Sequence, residues 1–196
     1  MKKFFAQQKN SLPILIITIC LLLLIFENLG GLTGNILEGS TYSNVSVSKY
    51  LSIEFSPSLS DGIQFGNVSF LPATDINATH NYDGGSSGSN FYISVSPDSN
   101  SAVDFCIKSN TGLTSSALDV IGLGNETYSN SRTSNLTNPL LGAQTALTTN
   151  YVLSSTAVPI GSNEYWRFWL DIPASQASGD YNNTISFNGI VTGTGC

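Results

Sequence analysis

The chain has 196 residues, enough for one domain with a real core behind a short N-terminal segment. Only 10 % of residues are charged and 41 % are hydrophobic, which excludes a disordered polymer; Gly, Ser, Thr and Asn fill most of the rest, as suits an all-β domain outside the cell. The net charge is −6, and beyond residue 34 four basic and twelve acidic residues remain, for −8. That balance leaves no electrostatic footprint for nucleic acid or an anionic membrane surface.

Residues 1–10 are polar and basic, and residues 12–26 are apolar apart from Thr18. As a helix that run spans roughly 22 Å, short of the ~30 Å hydrocarbon core. Length and flanks point to a secretory signal peptide, with cleavage at the small residues around Gly30 to Gly34. A retained membrane anchor and a pilin-like leader cut beside Ala6-Gln7 are the competing readings. In each, the basic end stays inside and the rest is exported. The expected division is residues 1–34 as signal or membrane segment, 35–47 as a flexible lead-in, and 48–196 as the domain.

Val45, Val47, Leu51, Ile53 and Phe55 alternate around Lys49 and predict one strand, or two. Pro57 and Asp61-Gly62 mark a turn; Ile63 with Phe65, and Val68 with Phe70, predict short strands. Residues 72–90 read as a loop. Phe91, Ile93 and Val95, then Pro97-Asp98-Ser99-Asn100, then Val103, Phe105 and Ile107 predict a hairpin. Leu118, Val120 and Ile121, then Thr127 and Tyr128, are weaker strand signals, with a loop over 129–141. Strand segments follow at Tyr151 to Leu153 and Ala157 to Ile160.

The strongest pattern is Trp166, Phe168, Leu170 and Ile172 alternating with Tyr165, Arg167, Trp169 and Asp171. Pro173 ends that strand, and Tyr181, Asn183, Ile185, Phe187 and Val191 share one face of the next. The two predict a closing strand pair. Short strands at regular intervals imply a single antiparallel β-sandwich, immunoglobulin-like or jelly-roll-like.

Six Asn-x-Ser/Thr sequons occur, at Asn44, Asn67, Asn77, Asn125, Asn135 and Asn182, all in the exported part. N-linked glycans at some of them are expected. Cys20 lies in the apolar run, which leaves Cys106 and Cys196 as an even pair. Bridged, they close a loop of about 90 residues, worth about 4–5 kcal/mol by chain entropy.

Catalytic chemistry is not visible. His80, the single histidine, is expected as a solvated loop residue with no triad or zinc partner. Asp75, Asp83 and Asp98 lack EF-hand spacing. Asp171 and Asp180 read as strand-end and turn residues. Arg167 alternates with the Trp core and is expected on the outer face, between Tyr165 and Trp169. No cofactor is expected.

The export segment, the sequons, and two stretches carry a resemblance. They are Asn-Phe-Tyr-Ile-Ser-Val-Ser-Pro-Asp-Ser-Asn-Ser-Ala-Val-Asp-Phe-Cys-Ile-Lys-Ser at 90–109 and Trp-Arg-Phe-Trp-Leu-Asp-Ile-Pro onward to Phe187. Together they resemble archaeal surface proteins of the thread and bundling-pilus type, themselves similar to the biofilm fibre protein TasA. The resemblance implies a non-enzymatic, glycosylated subunit of an extracellular filament, whose partner is a second copy of itself. In that family the N-terminal strand of one subunit completes the sandwich of the next. Here the donor would fall within residues 36–47, with Ile36, Leu37, Val45 and Val47 as pocket-filling candidates. The alternative is a membrane-anchored binding or adhesion module held by residues 12–26, using the 72–90 and 129–150 loops. A secreted hydrolase is the third reading.

Overall fold

The computed structural model of the chain describes residues 16–22, which are helical, and residues 40–196. Most of the apolar run, and the donor candidates Ile36 and Leu37, lie outside the described residues. Among those described, no helix is long and apolar enough to cross a membrane. All the strands among the described residues lie in the compact unit Val47–Cys196, which is described by itself.

In chain order these are β1 (Ile53–Phe55), β2 (Ala73–Asn77), β3 (Tyr92–Val95), β4 (Val103–Ser109), β5 (Leu113–Ser115), β6 (Val120–Ile121), β7 (Glu126–Ser131), β8 (Thr145–Ala146), β9 (Val152–Val158), β10 (Asn163–Ile172), β11 (Tyr181–Asn182) and β12 (Ile185–Val191). All pairings are antiparallel. A six-stranded sheet runs β1-β3-β10-β7-β8, with β2 also on β10. A three-stranded sheet runs β12-β4-β9, and a small third one runs β11-β5-β6.

β10 organises the larger sheet. Its first residues pair with β3, its last with β2, and its other edge takes β7 from Tyr165↔Ser131 to Leu170↔Glu126. Trp166 and Phe168, in phase on one face, are fully buried against the β12-β4-β9 sheet. Trp166 meets Phe105 of β4 at 5.5 Å and Phe187 of β12 at 5.2 Å, both edge-on. Edge-on pairs of this kind add about 0.5–1.5 kcal/mol each to the burial itself. Gly189 sits where Ile53 of β1 packs onto β12. A Cβ there would stand 3.2 Å from Ile53 of β1 and from Val103 of β4.

Cys106 and Cys196 are bridged across a separation of 90 residues. The tail is also held by Asp104, whose carboxylate accepts from Ala157 N at 2.6 Å and Gly193 N at 2.9 Å. Burial alone would raise that carboxyl; those backbone donors and the Thr192 hydroxyl outweigh it and hold the pKa below its ordinary value.

Several expected elements take a different form. β3 and β4 are not a hairpin: β3 pairs with β1 and β10, while β4 pairs with β12 and β9. Likewise β10 and β12 do not pair but face each other through the core. Turn residues end a strand without deciding which sheet receives the next one. The alternating segment from Val45 shortens to Ile53–Phe55, and residues 40–52 form no strand. Residues 61–72 form none either; Ile63 and Phe65 instead pack half-buried on the core. The 72–90 loop contains β2, and the two segments around 151–160 join into β9. Pro57 starts one helical turn, Pro57–Ser60, capped by the Ser56 hydroxyl on Leu59 N.

Candidate functional site

Sheet edges are where this fold offers unused bonding capacity. β8 and β1 end the larger sheet and are two and three residues long, and β2, beside β10 alone, leaves a five-residue edge with a shifted register. The smaller main sheet ends in β9 and β12, seven residues each. β9 is guarded. Its register against β4 shifts twice, Ala157 has φ of 51°, and the Thr156 carbonyl is taken by Arg132 Nη2.

β12 has none of these protections. It reads Ile-Ser-Phe-Asn-Gly-Ile-Val, with no charge, no proline and an unbroken register to β4. Thr192 N donates to Ala102 O at 3.3 Å, and Asn110 N donates to Thr184 O at 3.0 Å. Bonded pairs in an antiparallel ladder recur every second residue, so Ser186, Asn188 and Ile190 complete the ladder. Ile185, Phe187 and Gly189 therefore aim their N–H and C=O groups away from β4, where no strand of the described residues lies.

Beside this edge runs a groove of about 220 Å³, lined by Phe55, Ile63, Ile185 and Phe187 together with Glu126 and Asn183. Phe55 and Phe187 meet edge-on at 5.6 Å. Glu126 is 2 % exposed, and its Oε2 accepts from Asn183 Nδ2 at 2.5 Å. Burial pushes its pKa up to about 7, against the pull of that one amide.

A second buried charge lies on the opposite face of β10. Arg167 was expected on the outer face between Tyr165 and Trp169. It does point away from the Trp166 core, but two loops cover it and it is fully buried. Nε donates to Asn81 O at 2.8 Å, Nη1 to Pro139 O at 2.7 Å, and Nη2 to Asn135 O at 2.6 Å and Ser87 O at 3.2 Å. The guanidinium lies 3.9 Å over the Tyr82 ring. Burial lowers its pKa from the ordinary value, and the carbonyls and the ring replace a carboxylate partner.

The other singled-out residues are scattered. His80 Nδ1 lies 2.5 Å from Asp83 Oδ2, and its ring meets Phe91 edge-on, so it has a partner the sequence did not suggest. Asp75 binds Gln144, and Asp171 accepts from Asp75 N. Among the described residues no three His, Cys, Asp or Glu side chains group to hold a metal. Of the sequon residues, Asn44, Asn67, Asn77 and Asn182 are exposed, while Asn125 and Asn135 are half-buried. Val45 and Val47 are exposed and in no strand. Glu126 and the β12 edge went unnoticed in the sequence. The available signals were Glu126 in phase with Tyr128, and seven residues without charge or proline.

No family model, curated protein or solved structure matches this chain. Its function is therefore read from these features alone.

Proposed function

We propose that this chain is an extracellular structural subunit that polymerises into a cell-surface filament of the thread or pilus type. One copy donates a strand from within residues 36–47 to the sandwich of the next. The observation that carries the reading is the state of the described part of that segment. Residues 40–52 form no strand, and Tyr42, Val45 and Val47 are 96 %, 87 % and 76 % exposed. Val45 and Val47 stand at alternate positions on this unpaired stretch, the arrangement strand addition uses: main-chain bonds give affinity and pockets take every second side chain.

Three further features agree with it. Two antiparallel sheets around one core are compatible with an immunoglobulin-like or jelly-roll-like sandwich. The Cys106–Cys196 bridge suits an oxidising compartment. Exposed sequons suit a glycosylated surface. The adhesion-module alternative has less in its favour, because Tyr82, the aromatic its loops offered, is committed to Arg167.

Deleting residues 35–47 tests the reading. Purified protein should lose filament formation under the electron microscope while the monomer keeps its β circular-dichroism spectrum. Filaments of normal appearance from the deletion variant would end the strand-donation idea.

A further inference from the structure

We infer that the strand-accepting surface is the free edge of β12 with its adjoining groove, and that its occupant is residues 40–47 of a second copy. The assignment rests on the strand-donation reading and adds to it the place where the strand goes.

Four observations converge on β12. First, among the described edges it alone runs seven residues in unbroken register, and Ile185, Phe187 and Gly189 present outward N–H and C=O groups along it. β1, β6, β8 and β11 are two or three residues long, β2 is five with a shifted register to β10 and Asp75 at φ of 53°, and β9 is bulged with one carbonyl already taken. Second, the groove beside this edge is lined by apolar side chains from both main sheets, Phe55 opposite Ile185 and Phe187. A strand laid along β12 would bring side chains to that groove at every second residue.

Third, donor and acceptor match in length and charge. Asn100 fastens residues 48–50, accepting from Tyr50 N at 2.7 Å and donating to Ser48 O at 2.8 Å, so the donated stretch ends at Val47. Residues 40–47, Ser-Thr-Tyr-Ser-Asn-Val-Ser-Val, are uncharged, as is β12. In an acidic protein an uncharged strand meeting an uncharged edge avoids self-repulsion. Fourth, the period of two separates the roles of the donor's side chains. Val45 and Val47 share one face, and the sequon residue Asn44 falls on the other. A glycan on Asn44 then projects away from the groove filled by the valines.

The deciding experiment is photo-crosslinking in assembled filaments. The full chain would carry photoreactive benzoylphenylalanine at Ser43, which is in phase with Val45 and Val47, and intermolecular crosslinks would be mapped by peptide mass spectrometry. Expected are crosslinks to peptides spanning 55–63 or 183–191. Filaments whose crosslinks fall on β8, β9 or surface loops would overturn the β12 assignment and leave strand donation standing. If no intermolecular crosslink forms in well-built filaments, and the 35–47 deletion also polymerises, strand donation and this assignment fail together.

A pair of variants gives an independent check. Ile185→Pro removes an N–H that points outward, not one in the β4 ladder, and Ile185→Ala controls for the lost side chain. With both monomers folded by circular dichroism, the proline variant should polymerise about tenfold less well than the alanine one. Equal polymerisation of the two would count against β12 as the accepting edge. Should Ile185→Pro not fold, the crosslink map decides alone.

Discussion

Arg167 and Glu126 are both buried charges, one on each side of the larger sheet, and they are housed in opposite ways. Arg167 has four carbonyls within 3.2 Å and an aromatic face beneath it. Glu126 has one side-chain partner, the Asn183 amide. The arginine thus acts as a fastener: it joins a loop over 81–87 to a loop over 135–139. The glutamate is a liability beside an open groove, and its pKa of about 7 expresses that. Burial by itself says little about what a charge contributes; the number and alignment of its partners decide.

The sharpest way to break the contrast is Arg167→Ala. It strands the carbonyls of Asn81, Ser87, Asn135 and Pro139 in a space sized for a guanidinium. The expected loss is about 3–5 kcal/mol of unfolding free energy, as for other buried charge networks opened from one side. Urea denaturation followed by tryptophan fluorescence would measure it. A loss under about 1 kcal/mol would mean that the loops hold themselves and Arg167 is a passenger.

Glu126→Gln should act in the opposite direction, and only in part of the pH range. The folded-state pKa of about 7 lies above the ordinary 4.5. Between those values the folded protein binds more protons than the unfolded chain, so the parent loses stability as pH rises through that window and levels off above it. Glutamine removes the slope. The variant should be more stable than the parent by at most about 3 kcal/mol at about pH 8, with the gain gone by about pH 4. Comparing the two proteins at each pH cancels the Asp104 carboxylate. Its lowered pKa contributes stability above the ordinary carboxyl range that is lost as pH falls through the folded value. A pH-independent difference between parent and variant would show that Glu126 does not titrate in this window.

What the sequence made legible, and what it hid, follows the same line between local pattern and long-range arrangement. Trp166, Phe168, Phe105 and Ile107 announce their burial by alternation, because a period of two is a property of the strand itself. Counting left Cys106 and Cys196 as an even pair without deciding whether they join; the structure shows the bridge. That β3 and β4 belong to different sheets was not readable, since Pro97 to Asn100 signals a stop, and the seven residues from 96 to 102 suffice to cross between sheets. β2 was hidden because Ala-Thr-Asp-Ile-Asn has one large apolar residue and Asp75 at φ of 53°. Arg167 was assigned to the correct face of β10. That the face is roofed by loops contributed from residues 81–87 and 135–139 is tertiary information that no spacing around position 167 contains. The β12 edge was legible as a strand, but its lack of a neighbour shows only once every other strand has been placed.

The smallest of the expected effects refines the picture of Arg167. Tyr82 offers the guanidinium a ring face at 3.9 Å, and its replacement by leucine keeps much of the apolar volume while removing the π electrons. The expected cost is about 1 kcal/mol, the usual range for a partly desolvated cation–π contact. Combined with Arg167→Ala, that cost should vanish, because the ring then has no cation to face; a double-mutant cycle in urea reads the coupling directly. If Tyr82→Leu costs the same in both backgrounds, the ring matters through packing, and the carbonyl cage alone neutralises the arginine. Full coupling would make the ring and the carbonyls one unit. The two loops would then hold their shape because Arg167 is charged as well as because it fills space.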